Sequence, residues 1–369
     1  MQNSRRVELN ISIGGADITN DIAPYILSFT YNDNRSGEAD SITVDLEDSH
    51  GLFLGDWFPK RNSTITVSIR ATDWNQSGDT QVLKCGIFEI DEIEASQGKV
   101  SIKGISSPVT FGGRRETVTK TWEKVQLKNI AKDIAAKSGL ELNYTAVENP
   151  EFNRIDQTQE SNLQFLMRLV HKSGLAIKIV DGKISIYNEI DAEKDSASLA
   201  ISRTGGSVLG WNFKTQSFNT YKSCKVDYLN PDDKALISAE ATEPDDMPSG
   251  QVLKINTRVE SQAEADTLAK SKLRDANKRE ITGGLDLFGD MRLLDGIVVQ
   301  VKDFGTFDGK YRIASSTHNV TEGGYTTHVE LESGPPSVRK GGKGEKKANK
   351  KGKSEPAWKA IIERNRGNG

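Results

Sequence analysis

The sequence predicts a mainly β chain interrupted by one small α+β domain, and three observations predict it. Apolar residues recur at every second position through much of the first hundred residues and again between Gly283 and Ser333. That period describes strands with one buried face. Between these regions the apolar period changes to helical spacing in two segments, Leu127 to Ala135 and Leu163 to Val170. Past Ser333 a Lys/Gly-rich run lacks the apolar residues that would offset the entropy of ordering it. A length of 369 residues accommodates two or three domains with cores of their own.

The first β domain, residues 1–115, contains at least five strands. Val7, Leu9, Ile11 and Ile13 alternate, as do Ile42, Val44 and Leu46, and Ile65, Val67 and Ile69. Ile87 to Ile93 and Val100 to Ile105 complete the set, with turns at Asn32-Asp33-Asn34, Ser77-Gly78-Asp79 and Gln97-Gly98. Short strands at such spacing indicate a barrel or sandwich that closes near Pro108 to Arg115. The α+β domain, residues 116–200, opens with the helix over Leu127 to Ala135, which Gly139 stops. Ser161 with Gln164 three residues on forms a capping box for a second helix, ended by Gly174. Leu175 to Val180 and Lys183 to Asn188 then make a hairpin around Asp181-Gly182.

A polar linker, Asp191 to Gly206, leads into the second β domain, residues 201–334. Strands are predicted around Val208 to Phe213 and Ser223 to Leu229, followed by a polar loop over Ala239 to Gly250 and another strand. One helix starts at Ser261, with Glu264 as its capping partner and Ala265, Leu268, Ala269 and Leu273 on its apolar face. The closing meander has four alternating runs, Ile297 to Val301, Lys310 to Ala314, Ser316 to Val320 and Tyr325 to Leu331. Its breaks are Gly305, Asp308-Gly309 and Gly323-Gly324. Residues 335–369 form a basic tail, with one short helical pattern around Trp358, Ile361 and Ile362.

The composition is that of a somewhat polar soluble protein, 35% hydrophobic and 27% charged, with no run long enough for a membrane span. The N-terminus carries no apolar secretion segment, which places synthesis in the cytoplasm. Two distant cysteines, Cys85 and Cys224, exclude a disulfide framework and read as buried thiols. Charge is unevenly placed: eleven Lys/Arg against three Glu give the tail +8, so the overall −3 leaves −11 on residues 1–334. The four histidines (His50, His171, His318, His328) are not spaced as ligand pairs, and no nucleophile or metal-ligand motif is present. His318 and His328 lie on neighbouring strands, and packed or solvent-facing roles suit them better than ligation. Gly352-Lys353-Ser354 imitates the end of a phosphate-binding loop, but Lys347 stands where the first glycine is needed. No catalytic residue, metal or cofactor is expected. Partner binding is assigned to the tail, through Lys340, Lys343, Lys346, Lys347, Lys350, Lys351, Lys353 and Trp358. The competing reading of the tail is a solubilising extension.

The closing segment carries an ordered series of short motifs. Gly289-Asp290, Leu293 and Gly296 lead into a strand; Phe307, Gly309 and Tyr311 follow; then a lone His318 and Gly324-Tyr325-Thr326-Thr327. Upstream, Glu160-Ser161 with Phe165, Leu166, Arg168 and Leu169, then Gly174, supplies a second pattern. Together these resemble the phage late control gene D proteins, the baseplate hubs of contractile tails, related to the hub half of VgrG in type VI secretion. The resemblance covers nearly all of residues 1–333. It implies two tube-protein-like β-barrels flanking the α+β domain. It also implies a trimer that adapts a hexameric tail tube to a trimeric central spike and lines the channel, with DNA only as cargo. Further implied partners are a tube-initiator protein, baseplate wedge proteins and a tape-measure protein, and the implied location is the virion tail baseplate, assembled in the host cytoplasm. No spike repeat follows Ser333, so the spike is expected to be a separate chain. The alternative is a tail-associated peptidoglycan hydrolase or carbohydrate-binding module built on β domains.

Overall fold

The structure is a computed structural model and describes residues 4–60, 63–106, 117–180, 182–193, 196–216, 220–229, 235–243, 250–259 and 261–333. The basic tail, with Lys340 to Lys353 and Trp358, lies outside the described residues, as does the stretch from Pro108 to Arg115. No helix among the described residues is long and apolar enough to cross a membrane.

The first module holds β1 (Arg6–Ile13), β2 (Ala16–Asp17), α1 (Thr19–Ile22), β3 (Ile26–Asp33), β4 (Ser41–Glu47), β5 (Thr64–Thr72), β6 (Thr80–Ser96) and β7 (Lys99–Ile105). Their inward residues are those the period-two pattern names: Leu9 and Ile11, Ile42 to Leu46 in alternation, Ile65, Val67 and Ile69, Val100 and Ile102 are all buried. One boundary differs from the expectation. Asn32 and Asp33, which resemble a turn, end the strand β3, because Phe29, Tyr31 and Asp33 alternate inward along it.

The middle module comprises β8 (Thr117–Gln126), α2 (Leu127–Lys137), β9 (Glu141–Tyr144), β10 (Glu151–Ser161), α3 (Asn162–Lys172), β11 (Ala176–Val180), β12 (Lys183–Tyr187) and the short α4 (Glu189–Glu193). Ser161 and Gln164 form the reciprocal capping box that starts α3. Gly139 and Gly174 adopt the left-handed backbone, with φ of 64° and 70°, just past the two helices. The two helices bury Ile130, Ile134, Phe165 and Leu169 in a core of their own, together with Ile177, Ile184 and Ile186 of the sheet. The ribbon β8–β10 is absent from the sequence-based expectation, since its exposed, polar strands carry little alternation.

The last module contains β13 (Leu199–Ser202), β14 (Val208–Thr215), β15 (Ser223–Leu229), β16 (Leu236–Thr242), β17 (Val252–Ile255), α5 (Gln262–Asn277), β18 (Ile281–Phe288), β19 (Val298–Lys302), β20 (Gly309–Thr321) and β21 (Gly324–Glu332). The structure corrects the sequence-based reading at the linker, where β13 lies within Asp191 to Gly206, and in the closing meander. The runs Lys310 to Ala314 and Ser316 to Val320 are one strand, β20, in which a bulge shifts the register between Ile313 and Ser315. The bulge resets the alternation by one residue, and this reads in the sequence as a break. The helix α5 packs on a separate three-stranded sheet of β15, β16 and β17, with its own small core.

The N-terminal and C-terminal modules have the same topology. Six strands of the first lie in the order β3-β4-β7-β6-β5-β1, and six of the last in the order β14-β18-β21-β20-β19-β13. Ranked by position in the chain, these are the same order. The correspondence extends to antiparallel pairing at four of the five contacts; β1–β5 is antiparallel whereas β13–β19 is parallel. Within the chain the two modules join because β3 pairs antiparallel with the second half of β20, from Ser28–Thr321 to Asp33–Ser316. The result is one 13-stranded sheet over one continuous hydrophobic core.

Candidate functional site

Two features of this architecture can act on other molecules: the junction that fixes the modules to one another, and the sheet edges that the junction leaves open. At the junction, strand β20 changes partner along its length. Gly309 to Arg312 pair with β19 inside the module, and Ser316 to Thr321 pair with β3 across the seam. On the outer face Thr30 Oγ1 donates to Asn319 Oδ1 and Thr317 Oγ1 donates to Asn32 Oδ1, both at 2.9 Å. On the inner face the Tyr31 ring stacks on His318, centroids 5.9 Å apart.

His318 is fully buried and hydrogen-bonded at both nitrogens. Nε2 lies 3.1 Å from the Leu293 carbonyl and so carries the proton it donates there; Nδ1, 2.7 Å from the Tyr325 hydroxyl, accepts. Burial, outweighing the attraction of Asp33, pulls its pKa down to about 4 and keeps the ring neutral. His328, one residue out of register on β21, faces the opposite side and meets the Asp286 carboxylate at 2.7 Å. The two histidines therefore share no site.

Behind the seam lies a buried chain of charges drawn from all three modules. Lys178 Nζ, on β11, is 2.7 Å from Asp33, 3.0 Å from Asp40 and 3.5 Å from Asp295. It also donates to the Asn34 carbonyl. The backbone N–H of Asp295 donates to Asp33 at 2.6 Å. Arg312 continues the chain, 3.1 Å from Asp295 and 3.4 Å from Glu189, and Arg274 of α5 is 2.6 Å from Glu189. Burial opposes the charge on Lys178, yet Asp33, Asp40 and Asp295 hold its pKa well above the ordinary lysine value. Three carboxylates around one ammonium cannot all be compensated. Burial raises Asp40 to about 7 despite Lys178, and raises Asp295 to about 6. Glu189 moves the other way: against burial, Arg312 and Arg274 hold it well below the usual carboxylate range. With Asp40 neutral, three acids balance three bases. The cluster is a rivet between modules; one cation from the middle module grips both β modules at once.

Nothing in the sequence marks Lys178 as buried, because its neighbours Ile177 and Ile179 explain the strand without it. Asp295 sits inside the closing motif series, two residues after Leu293, where an acidic residue reads as turn chemistry. Among the described residues no group of three or more His, Cys, Asp or Glu could hold a metal ion. Neither cysteine forms a disulfide, and both are buried.

Two open edges, among the described residues, lie on β6 and β14. Strand β5 covers β6 as far as Glu89, and the next N–H, that of Ile90, donates to the Ser63 carbonyl at 3.0 Å. Beyond it, Glu92 to Ser96 pair with β7 on one side and, among the described residues, with no strand on the other. Strand β14 pairs, among the described residues, only with β18. An aromatic group stands behind this second edge: Phe213 packs against Phe304, Phe307 and Tyr311, and Trp211 against Phe304.

No family model matches the chain. Two curated relatives are named probable baseplate hub proteins. The one from Escherichia phage P2 is 32% identical over 179 residues, covering 47% of this chain and 43% of that protein. The one from Escherichia phage 186 is 24% identical over 372 residues, covering 87% of this chain and 92% of that protein. The chain thus matches less than half the length of the first and nearly all of the second. Among solved structures, a tail protein of Neisseria meningitidis superposes with a TM-score of 0.66 at 15% identity, covering 88% of this chain and 96% of that one. A type VI secretion component of E. coli superposes with a TM-score of 0.54 at 10% identity, covering 89% and 76%. The mainly β fold is therefore one that tail and type VI secretion proteins share, and the relatives in sequence carry the name of phage baseplate hubs.

Proposed function

We propose that this chain is a structural baseplate hub of a contractile tail or related injection system, a trimeric adaptor between a hexameric tail tube and a trimeric central spike. One observation carries the reading: each chain holds two modules of the same strand order, joined side by side through β3 and β20. Three such chains around an axis present six like modules on one ring but only three copies of the middle module. That is the symmetry a part needs in order to meet a sixfold body on one face and a threefold body on the other. The names of the phage relatives support the same role. On this reading the chain works by geometry and catalyses nothing. Its partners are the tube or tube-initiator protein, the spike and the wedge proteins, and its place is the virion tail baseplate. The tail residues Lys340 to Lys353 and Trp358 supply a cationic strip for an acidic neighbour, the tape-measure protein among the candidates.

Mass measurement in solution tests the proposal. The purified chain alone is expected at three times the protomer mass, and with a candidate spike protein at that mass plus the mass of the spike. A chain that stays monomeric with both tube and spike proteins present, and clears a band in a peptidoglycan zymogram, would overturn it in favour of a hydrolase.

A further inference from the structure

The seam inside the chain specifies the seam between chains. The two modules agree in strand order and in the irregularities of two matched strand pairs, although the β5–β6 shift between Val67 and Ser68 has no counterpart in β19–β20. The β3–β4 register shifts between Ile26 and Ser28, and β14–β18 between Val208 and Gly210. The β6–β7 register shifts between Ile90 and Glu92, and β20–β21 between Ile313 and Ser315. Bulges are specific features of a strand pair, so they fix which residues correspond. Aligning them places Trp211 where Phe29 stands, Asn212 at Thr30, Phe213 at Tyr31 and Lys214 at Asn32. They likewise place Glu94 at Thr317, Ala95 at His318 and Ser96 at Asn319.

In the first of each pair of edges the site is filled and in the second it is open. Phe29 is 0% exposed because β3 lies on β20, while its counterpart Trp211 is 49% exposed. His318 is 0% exposed beneath Tyr31, while its counterpart Ala95 is exposed. We infer that strand β14 of one copy docks antiparallel on the Ile93 to Ser96 edge of β6 in a second copy, repeating the β3–β20 seam with Lys214 opposite Glu94 and Asn212 opposite Ser96. This contact presupposes the trimeric ring of the proposed function and supplies its interface. Charge and chemistry, as well as repetition, name the occupant as a second copy of this chain. The neutral Thr317–Asn32 pair becomes a carboxylate opposite an ammonium, both exposed in the single chain, where Glu94 lies 3.6 Å from Lys103. Cross-strand pairs of opposite charge favour such a register, and a half-exposed Trp at an edge is a typical anchor of an interface. Because donor edge and acceptor edge differ, the contact is head-to-tail and grows until its rotation closes a ring.

Cysteine cross-linking of the full chain tests this. Directly opposed residues of an antiparallel pair lie within disulfide reach, and the native thiols Cys85 and Cys224 are buried. The double variant Glu94→Cys/Lys214→Cys is expected to give, on oxidation, a covalent ladder ending at the trimer, and each single variant none. Thr317→Cys/Asn32→Cys, which bridges the internal seam, is expected to leave the covalent mass of one chain. In parallel, Glu94→Lys should weaken the oligomer and Glu94→Lys/Lys214→Glu should restore it. A trimer by native mass with no ladder and no charge rescue would overturn this seam while leaving the ring in place. A monomer without a ladder would overturn both.

Discussion

Lys178 holds three carboxylates within 3.5 Å, and the imbalance it leaves makes the stability of the junction depend on pH. Asp40, raised to about 7 by burial, keeps a proton in the folded state that the unfolded chain releases near its ordinary pKa of about 4. Between those values the folded state binds more protons than the unfolded, so this group's contribution falls as pH rises through the window. His318 has the opposite sign: lowered to about 4 from its ordinary 6.5, it makes stability rise across that range. Asp40→Asn removes the first slope and leaves the second. The melting temperature of Asp40→Asn relative to the natural chain should therefore climb by a few °C between about pH 5 and pH 8. A difference that does not change with pH would contradict the assignment. Little of this is legible in the sequence. An isolated Lys between two Ile residues looks like any solvent-facing strand position, and its burial is decided by Asp33, Asp40 and Asp295, all of them distant from it along the chain.

Among the elements, legibility follows local chemistry. Helices α2 and α3 are readable because their stops and apolar faces, and for α3 its cap, all lie within a dozen or so residues. The end of strand β3 is not. Its Asn32-Asp33-Asn34 terminus imitates a turn, and what makes it a strand is β20, far along the chain. The importance of β3 is nonetheless measurable. Phe29 is completely buried, so Phe29→Ala should cost about 3–5 kcal/mol in urea unfolding. Trp211→Ala, at the matching place on the open edge, should cost the isolated chain well under half as much. Equal losses at the two positions would mean that the two edges are not in different states.

For the molecule as a whole, the strand order that the two β modules share is not legible as a repeat in the sequence. Trp211 stands where the first module has Phe29, Phe213 where it has Tyr31, and Ala95 where the last module has His318; strand order and bulges agree while side chains do not. Pairing of backbone to backbone tolerates such drift, since the ladder bonds do not involve the side chain. What the sequence does convey at this scale is the ordered motif series from Gly289 to Thr327, whose residues Leu293, His318 and Tyr325 meet in one hydrogen-bonded group. The ring contact inferred above, between β14 and β6, makes no use of the tail. Deleting residues 335–369 should leave the number of chains per oligomer unchanged in light scattering. Dissociation of the truncated protein to monomers would instead make the tail part of the ring.

The seam also governs how such a chain can be made. The bond from Thr30 to Asn319 spans 289 residues. At about 5–20 residues per second on the ribosome, the partner of β3 emerges roughly 15–60 s after β3 itself. Throughout that interval the growing chain carries β3 paired only on its β4 side, and the edge bearing Phe29 and Tyr31 is open to capture by other nascent copies. Synthesis rate and chaperone supply are therefore expected to bear on the yield of correctly paired protein, alongside its final stability.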